Sequence, residues 1–328
     1  MRAFVTGGGG FIGGVLVRRL RERGDEVVVA VREPAAAAAQ RLAHQGAQLL
    51  RSDLRDTTGL AESMRGADAV FHLAGAYRVG IAPSERRQMH DSNVGATERV
   101  LDAGIAAGVN RTVHVSTINV FGNTRGQIVD ESYRRDLRDG FVSWYDETKF
   151  RAHEAAEARI RGGAPIVIVQ PGGTYGPGDH STVGAQLAQA HAGRLRYLAL
   201  ASVGLNFVHV EDVVEGILLA HDRGQPGRAY VLGGEIARLR DAISVAARLG
   251  GHGTPRLTVP TRLLRLATPV APRLGRFLGL PPNLDEVIRA SDRVTYWASD
   301  ERARAELGYK PRGLEAGLAD TFGDRLAA

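Results

Sequence analysis

The chain has 328 residues, 44% hydrophobic and 24% charged, which suits one large α/β unit with a smaller appended lobe. It contains no cysteine, excluding disulfides, thiolate metal sites and a cysteine nucleophile. The net charge of +6 comes from 42 basic and 36 acidic residues, but the basic residues are scattered singly and do not form a nucleic-acid-binding block. No metal-ligand cluster stands out. No signal-peptide layout opens the chain, and no apolar run approaches bilayer length. A cytoplasmic location without nucleic-acid partners is the resulting expectation.

The first two-thirds alternate apolar runs with helical stretches, the pattern of a parallel sheet covered on both faces. Strands are expected at 3–6, 26–31, 47–50, 69–73, 112–116 and 166–169, with helices at 11–23, 35–44, 58–64, 93–107 and 144–161. Gly24, Gly46, Gly66 and Gly108 each follow a helix, where a left-handed cap favours glycine. After Pro171 the regularity loosens. Helices at 183–192 and 211–222 and a strand at 229–232 can return to the sheet. From Glu235 the tail reads as helices and loops broken by prolines. The fold class is a Rossmann-type doubly wound parallel sheet with a smaller, mainly helical C-terminal substrate lobe. The dinucleotide-binding unit is expected over 1–175 plus about 203–232, and the lobe over about 176–202 and 233–328.

Strand one ends in Thr6-Gly7-Gly8-Gly9-Gly10-Phe11-Ile12-Gly13. The spacing of Gly7, Gly10 and Gly13 suits a tight turn that lets backbone N–H groups approach a pyrophosphate. The next helix points its positive end at the same anion. Strand two runs Val27-Val28-Val29-Ala30-Val31-Arg32, without the terminal acid that would hold the ribose hydroxyls of NAD. Arg32 can fork onto a 2′-phosphate, so NADP is favoured over NAD. It also fits a solvated surface arginine, with Glu33 beside it. Asp53, followed by Leu54, fits either an adenine contact or a helix cap.

Tyr145 and Lys149 stand four residues apart on one face of a predicted helix. A free phenol titrates near ~10. An ammonium about 4 Å away favours the phenolate by roughly 4 kcal/mol and would lower that pKa by up to ~3 units. Lys149 is one of only two lysines, the other being Lys310, in an arginine-rich chain. The strand before this helix ends in Ser116 and Thr117, at the edge where ligands bind in open α/β sheets. A hydroxyl there can hold a substrate oxygen against the phenol.

These segments resemble the extended branch of the short-chain dehydrogenase/reductase superfamily, the epimerase/dehydratase and dihydroflavonol-reductase-like enzymes. The resemblance runs through T-G-G-x-G-F-I-G at 6–13, F-H-L-A-G at 71–75, D-S-N-V-G-A-T at 91–97 and V-S-T-x-x-V-F-G at 115–122. It continues with Y-D-E-T-K at 145–149, P-G-G-T-Y-G-P-G at 171–178 and F-V-H-V-E-D-V at 207–213. It implies Thr117, Tyr145 and Lys149 as catalytic residues, with threonine for the commoner serine and Phe121 for the usual tyrosine. Cofactor contacts are implied for Gly7, Gly10, Phe11, Ile12, Gly13, Arg32, Asp53, Leu54, Leu73, Ala74 and Gly75. The remaining contacts fall on Asn93, Ser116, Tyr145, Lys149, Pro171 and Gly172. It further implies a homodimer through the helices at 93–107 and 144–161. His72 and His114 read as packed core histidines.

Nucleotide-sugar enzymes of this family carry an asparagine after the sixth strand and an arginine before the F-V-H-V-like element. Here the first position is Gly173, and Ser202-Val203-Gly204-Leu205-Asn206 holds no arginine. Together with Arg32, this resembles the reductase subgroup. The expected chemistry is NADPH-dependent reduction of a carbonyl on a small organic substrate, with the corresponding alcohol in reverse. A nucleotide-sugar epimerase or dehydratase with tightly held NAD(P), and a non-catalytic NADP sensor, are the alternatives. Tyr77, Arg78 and Tyr175 fit a substrate-facing role and equally a surface or packing one. The segment 261–278 alternates apolar residues and arginines, which fits a lid helix better than a membrane-surface helix.

Overall fold

Consecutive valines without polar alternation need cover on both faces of a sheet. A computed structural model, describing residues 1–56, 59–269, 271 and 281–323, provides it. The chain starts with β1 (Arg2–Thr6), α1 (Phe11–Glu22), β2 (Glu26–Val31), α2 (Ala37–His44), β3 (Gln48–Arg51), α3 (Leu60–Met64) and β4 (Ala69–His72). It continues through α4 (Arg86–His90), α5 (Ala96–Ala106), β5 (Arg111–Val115), α6 (Trp144–Arg161) and β6 (Ile166–Pro171). Then come β7 (Gly173–Tyr175), α7 (Thr182–His191), β8 (Tyr197–Ala199), β9 (Gly204–His209), α8 (Val210–Arg223) and β10 (Ala229–Leu232). The last described elements are β11 (Glu235–Arg238), α9 (Leu239–Leu249), β12 (Leu257–Val259), α10 (Thr261–Ala267), α11 (Leu284–Ser291) and α12 (Leu314–Gly323).

Seven strands form one sheet in the order β10-β6-β5-β4-β1-β2-β3, and every neighbouring pair is parallel. The order reverses between β1 and β4, the switch point beside which open α/β sheets bind ligands. There Thr6 pairs with Ala30 on one side and His72 on the other, and His72 pairs in turn with His114. Val5, Phe71, Val113 and Val169 form the middle of a core closed by Leu16, Leu20, Val213 and Ile217 from α1 and α8.

A second core gathers Phe207 of β9, Leu187 of α7, Ile243 and Ala246 of α9, Leu318 of α12 and Tyr296. Around it lie two small sheets, β11-β9-β7 and β12-β8. The tail is mainly helical, as expected, with two short strands added: β11 pairs antiparallel with β9, and β12 parallel with β8. These strands are three or four residues long, too short for an alternating pattern to emerge.

The expected helix at 93–107 differs at its start, where a wider π-type turn occupies Asp91–Gly95 before α5. Of the segment 261–278, α10 packs Leu264 and Ala267 with Leu284 and Ile288 of α11. Residues 270 and 272–280 lie outside the described residues, as does Thr58 at the head of the expected 58–64 helix. No described helix is long and apolar enough to cross a membrane.

Candidate active site

The glycine turn is fixed by contacts that leave no room for side chains. Gly7 takes φ +76°, and a Cβ there would lie 2.6 Å from the backbone nitrogen of Ala74 at the end of β4. A Cβ on Gly13 would stand 2.2 Å from the carbonyl oxygen of Gly7, so α1 rests directly on the turn. Gly10 caps α1 without a side-chain acceptor, and the first turn carries no acid. The positive end of a 12-residue helix is thus left to an external anion. This cradle fits the pyrophosphate of a dinucleotide, which Gly7, Gly10, Phe11, Ile12 and Gly13 could hold. Leu73, Ala74 and Gly75 follow β4 immediately and form the adjoining wall.

At the end of β2, Arg32 is exposed and makes no hydrogen bond or ion pair among the described residues. Asp53 follows β3 and accepts from the backbone nitrogen of Arg55 at 3.0 Å and from its guanidinium Nη2 at 2.5 Å. Arg55, helped by Arg32, holds the Asp53 carboxyl down at about 2. The helix-cap alternative for Asp53 is not what forms, since α3 is capped by Gly59. Leu54 directs its carbonyl to the Arg99 guanidinium at 2.5 Å.

The catalytic candidates meet at the end of β5. Ser143 opens α6, its hydroxyl accepting from the backbone nitrogen of Asp146 at 3.0 Å. Tyr145 and Lys149 are buried on the inward face of α6, at 8% and 9% exposure. Thr117 stands near enough to the phenol to favour its ionised form, while the Thr117 hydroxyl donates to Asn119 Oδ1 at 3.1 Å. Lys149 Nζ donates to the carbonyl of Val115 at 3.1 Å. The expectation of an acidified phenol is corrected here. Burial pushes the Tyr145 pKa up, Tyr77 and Asp146 add to the rise, and Thr117 offsets only part of it. One N–H of the Lys149 ammonium goes to a backbone carbonyl, and burial lowers the group's own pKa to about 8. The phenol therefore holds its proton at neutral pH, ready to act as an acid.

Other candidates are structural in their contacts. Ser116 pairs its hydroxyl with His153 Nδ1 at 3.0 Å. Asn93 is buried, with its amide fully engaged: Oδ1 accepts from the Ala76 nitrogen at 2.6 Å, and Nδ2 donates to the Ala76 carbonyl and to Thr148 Oγ1 at 2.9 Å. It ties the loop after β4 to α6. Gly172 backs onto Asn206, whose carbonyl oxygen would stand 2.4 Å from an added Cβ, and the preceding Pro171 is buried at the end of β6. Asn206 in turn bonds both ways to the Ala298 backbone. Tyr175 is buried and donates to the Leu314 carbonyl at 3.3 Å, away from a substrate. Arg78 pairs with Glu85.

Tyr77 was expected only as a residue that can face a substrate, and Arg135 was not expected at the site. Tyr77, 62% exposed, stands edge-on to the Tyr145 ring at 4.8 Å. With Ile81, Met89, Val79 and Trp144 it makes the wall beside the phenol apolar. Arg135 is buried against Asp146 at 2.6 Å and lies over Phe141, bracing the first turn of α6. A pair of bulky aromatics near an arginine was the available signal, but their spacing from Tyr145 was not periodic.

His72 and His114 are core residues, stacked with ring centroids 5.3 Å apart. His72 bonds Thr6 and Thr97, whereas neither ring nitrogen of His114 has a partner. Burial drives His72 down to about 3 and His114 well below its ordinary value. Unfolded, each binds a proton near ~6.5, so acidification below that point favours the unfolded chain. Stability should be complete above about pH 6.5 and fall by about 1.4 kcal/mol per pH unit for each histidine as pH drops towards 3. Thermal melts between pH 7.5 and 4.5 check this; a flat melting temperature would contradict it.

A switch-point cradle for a dinucleotide beside a buried Tyr–Lys–Thr cluster defines a dinucleotide-dependent α/β enzyme. The family model for the NAD dependent epimerase/dehydratase family matches residues 3–233. A 4-hydroxy-2-methyl-3-oxo-4-farnesyl-3,4-dihydroquinoline-1-oxide ketoreductase of Stigmatella aurantiaca is 32% identical, over 96% of this chain and 95% of its own. A 2-alkyl-3-oxoalkanoate reductase of Stenotrophomonas maltophilia is 30% identical, over 97% of both chains. Among solved structures, a double mutant of the dTDP-glucose 4,6-dehydratase DesIV from Streptomyces venezuelae, holding NAD, superposes with a TM-score of 0.79. It is 25% identical, over 100% of this chain and 97% of that one. The chain belongs to the NAD-dependent epimerase/dehydratase family, within the extended short-chain dehydrogenase/reductases, and is an NAD(P)-dependent oxidoreductase.

Proposed function

We propose that this protein reduces a ketone or aldehyde carbonyl on a small organic molecule with NADPH. The observation that carries the reading is the Tyr145 phenol, buried on the same inward helix face as Lys149 and set against an apolar wall. In the reduction, the nicotinamide supplies the hydride. Thr117 holds the carbonyl oxygen, Tyr145 releases its phenolic proton to that oxygen, and Lys149 fixes the cofactor ribose from behind β5. The glycine turn holds the pyrophosphate and Arg32 the 2′-phosphate. The unit at 1–175 plus about 203–232 would carry the cofactor, and the remainder would close over the substrate.

The names of the ketoreductase and reductase relatives, aligned end to end, support carbonyl reduction. A nucleotide-sugar epimerase or dehydratase is the second reading, supported by the likeness to DesIV. Against it, Gly173 stands where such enzymes carry an asparagine, and 202–206 holds no arginine. Screening ketones and nucleotide sugars in parallel with NADPH and NADH separates the two. Carbonyl-dependent oxidation of NADPH supports the first, whereas co-purified nucleotide with no net turnover of added NADPH supports the second.

Arg32 makes the cofactor choice testable. Losing one charge-assisted fork on an exposed phosphate costs about 1.4 kcal/mol, or roughly tenfold. Arg32→Ala should raise the NADPH dissociation constant by about that factor and leave the NADH constant within twofold. A parallel loss for both cofactors would remove Arg32 from the 2′-phosphate site.

A further inference from the structure

The buried carboxylate of Glu286 has no place in the chemistry above, yet it reaches the helix that carries it. Glu286 lies in the first turn of α11 and is 1% exposed. Its Oε1 accepts from the backbone nitrogen of Trp144 at 2.7 Å, across 142 residues of sequence. Trp144 is the first residue of α6 and directly precedes Tyr145. The amides of a helix's first turn lack intrahelical acceptors and carry its positive pole. Ser143 satisfies the amide of Asp146; Glu286 satisfies that of Trp144 with its carboxyl oxygen. An isolated buried carboxylate is costly, so the energetics favour keeping this bond made.

The same short segment grips the wall beside the phenol. Asn283 Nδ2 donates to Glu286 Oε2 at 2.8 Å, and its backbone nitrogen donates to the carbonyl of Gly80 at 3.0 Å. Gly80 takes φ +80°, and an added Cβ would stand 2.6 Å from Val287 Cγ2 and 2.9 Å from the Asn283 carbonyl. The loop bearing Tyr77 and Ile81 is therefore held tightly against α11. On the far side, Trp144 Nε1 donates to the Arg86 carbonyl at 3.0 Å, with the Arg86 guanidinium over the indole. Asn283 and Glu286 thus bolt α11 to two parts of the site at once: the loop that supplies its wall and the amide next to its acid.

Resting on the carbonyl-reductase reading, we infer that Glu286 is a positioning residue that sets the register of Tyr145 through the Trp144 amide. It touches neither substrate nor cofactor. Its effect falls on the placement of the phenol and therefore on kcat. A misplacement of about 1 Å at a reacting group costs on the order of 100-fold.

Trp144 is one of only two tryptophans, so a Trp297→Phe background leaves it as the sole indole emitter. In that background Glu286→Ala, Glu286→Gln and Asn283→Ala are compared, using 1-phenyl-1,2-propanedione with NADPH as the activity probe, well below each variant's melting temperature. Glu286→Ala should lower kcat by about 10- to 100-fold, with the KM for NADPH within twofold, and should shift Trp144 emission to the red. Glu286→Gln retains an acceptor oxygen and should recover at least fivefold of that loss. Asn283→Ala should lower kcat by threefold or more. If Glu286→Ala does not fold, the Gln and Asn283 variants carry the test alone, and a kcat within twofold of the parent for both overturns the inference. So does equal damage to kcat and to the KM for NADPH. Should the parent protein turn over no carbonyl, the reductase reading fails on its own, and Trp144 emission still decides. An emission spectrum unchanged in the Glu286 and Asn283 variants overturns the positioning role.

Discussion

Tyr145→Phe is expected to lower kcat for carbonyl reduction by about 100- to 10,000-fold, the range supplied by a positioned proton donor. The substitution removes one hydroxyl and little else. The ring keeps its edge-on contact with Tyr77 at 4.8 Å and its place beside Ile81 and Met89. The pyrophosphate cradle lies on the β1–α1 turn and is untouched. NADPH affinity by calorimetry should therefore stay within about twofold while turnover collapses. The Thr117 hydroxyl keeps its bond to Asn119, so the melting temperature should barely move. A Phe variant retaining a tenth or more of wild-type kcat would show that the proton comes from another group. Equal loss of NADPH binding would instead place the phenol in the cofactor site and remove its assignment as the acid.

The seven-stranded sheet was legible because its strands are buried on both faces and read as unbroken apolar runs. β2, at Glu26–Val31, and α6, at Trp144–Arg161, fall on their expected bounds. Gly24, Gly46, Gly66 and Gly108 all take the left-handed conformation expected of helix stops. The pairing of Tyr145 with Lys149 was legible because a lysine is conspicuous among so many arginines. The phenol's electrostatics were not. The four-residue spacing predicts an ammonium close to the ring, but where Nζ points depends on the Val115 carbonyl, and burial depends on the packing of Tyr77 and Met89. The contacts of Asn93 were not legible either. Its amide ties Ala76 to Thr148, partners 17 and 55 residues away. Glu286 was invisible, since a single glutamate in a polar helix carries no sign of an amide 142 residues away.

The glycine turn offers the second large effect, with a built-in control. A Cβ on Gly13 would meet the Gly7 carbonyl oxygen at 2.2 Å and the Cα of Gly8 at 2.8 Å. Both are backbone atoms, so relief requires α1 to move off the turn. Even alanine forces that shift, and valine adds bulk where the helix has none to spare. Displacement of α1 withdraws the N-terminal amides from the pyrophosphate, and a mislaid cluster of charge-assisted bonds costs about 3 kcal/mol or more. Gly13→Val should therefore weaken NADPH binding by at least about 100-fold. Gly9 sits in the same turn with no atom closer than 3.6 Å, the Ala38 Cβ, so Gly9→Ala should leave folding intact. Differential scanning fluorimetry with and without NADPH separates the outcomes. The Gly13 variant should lose ligand-induced stabilisation and the Gly9 variant should fold with an unchanged melting temperature when free of ligand. A Gly13→Val protein stabilised by NADPH as strongly as the parent would mean that the dinucleotide does not sit on this bend.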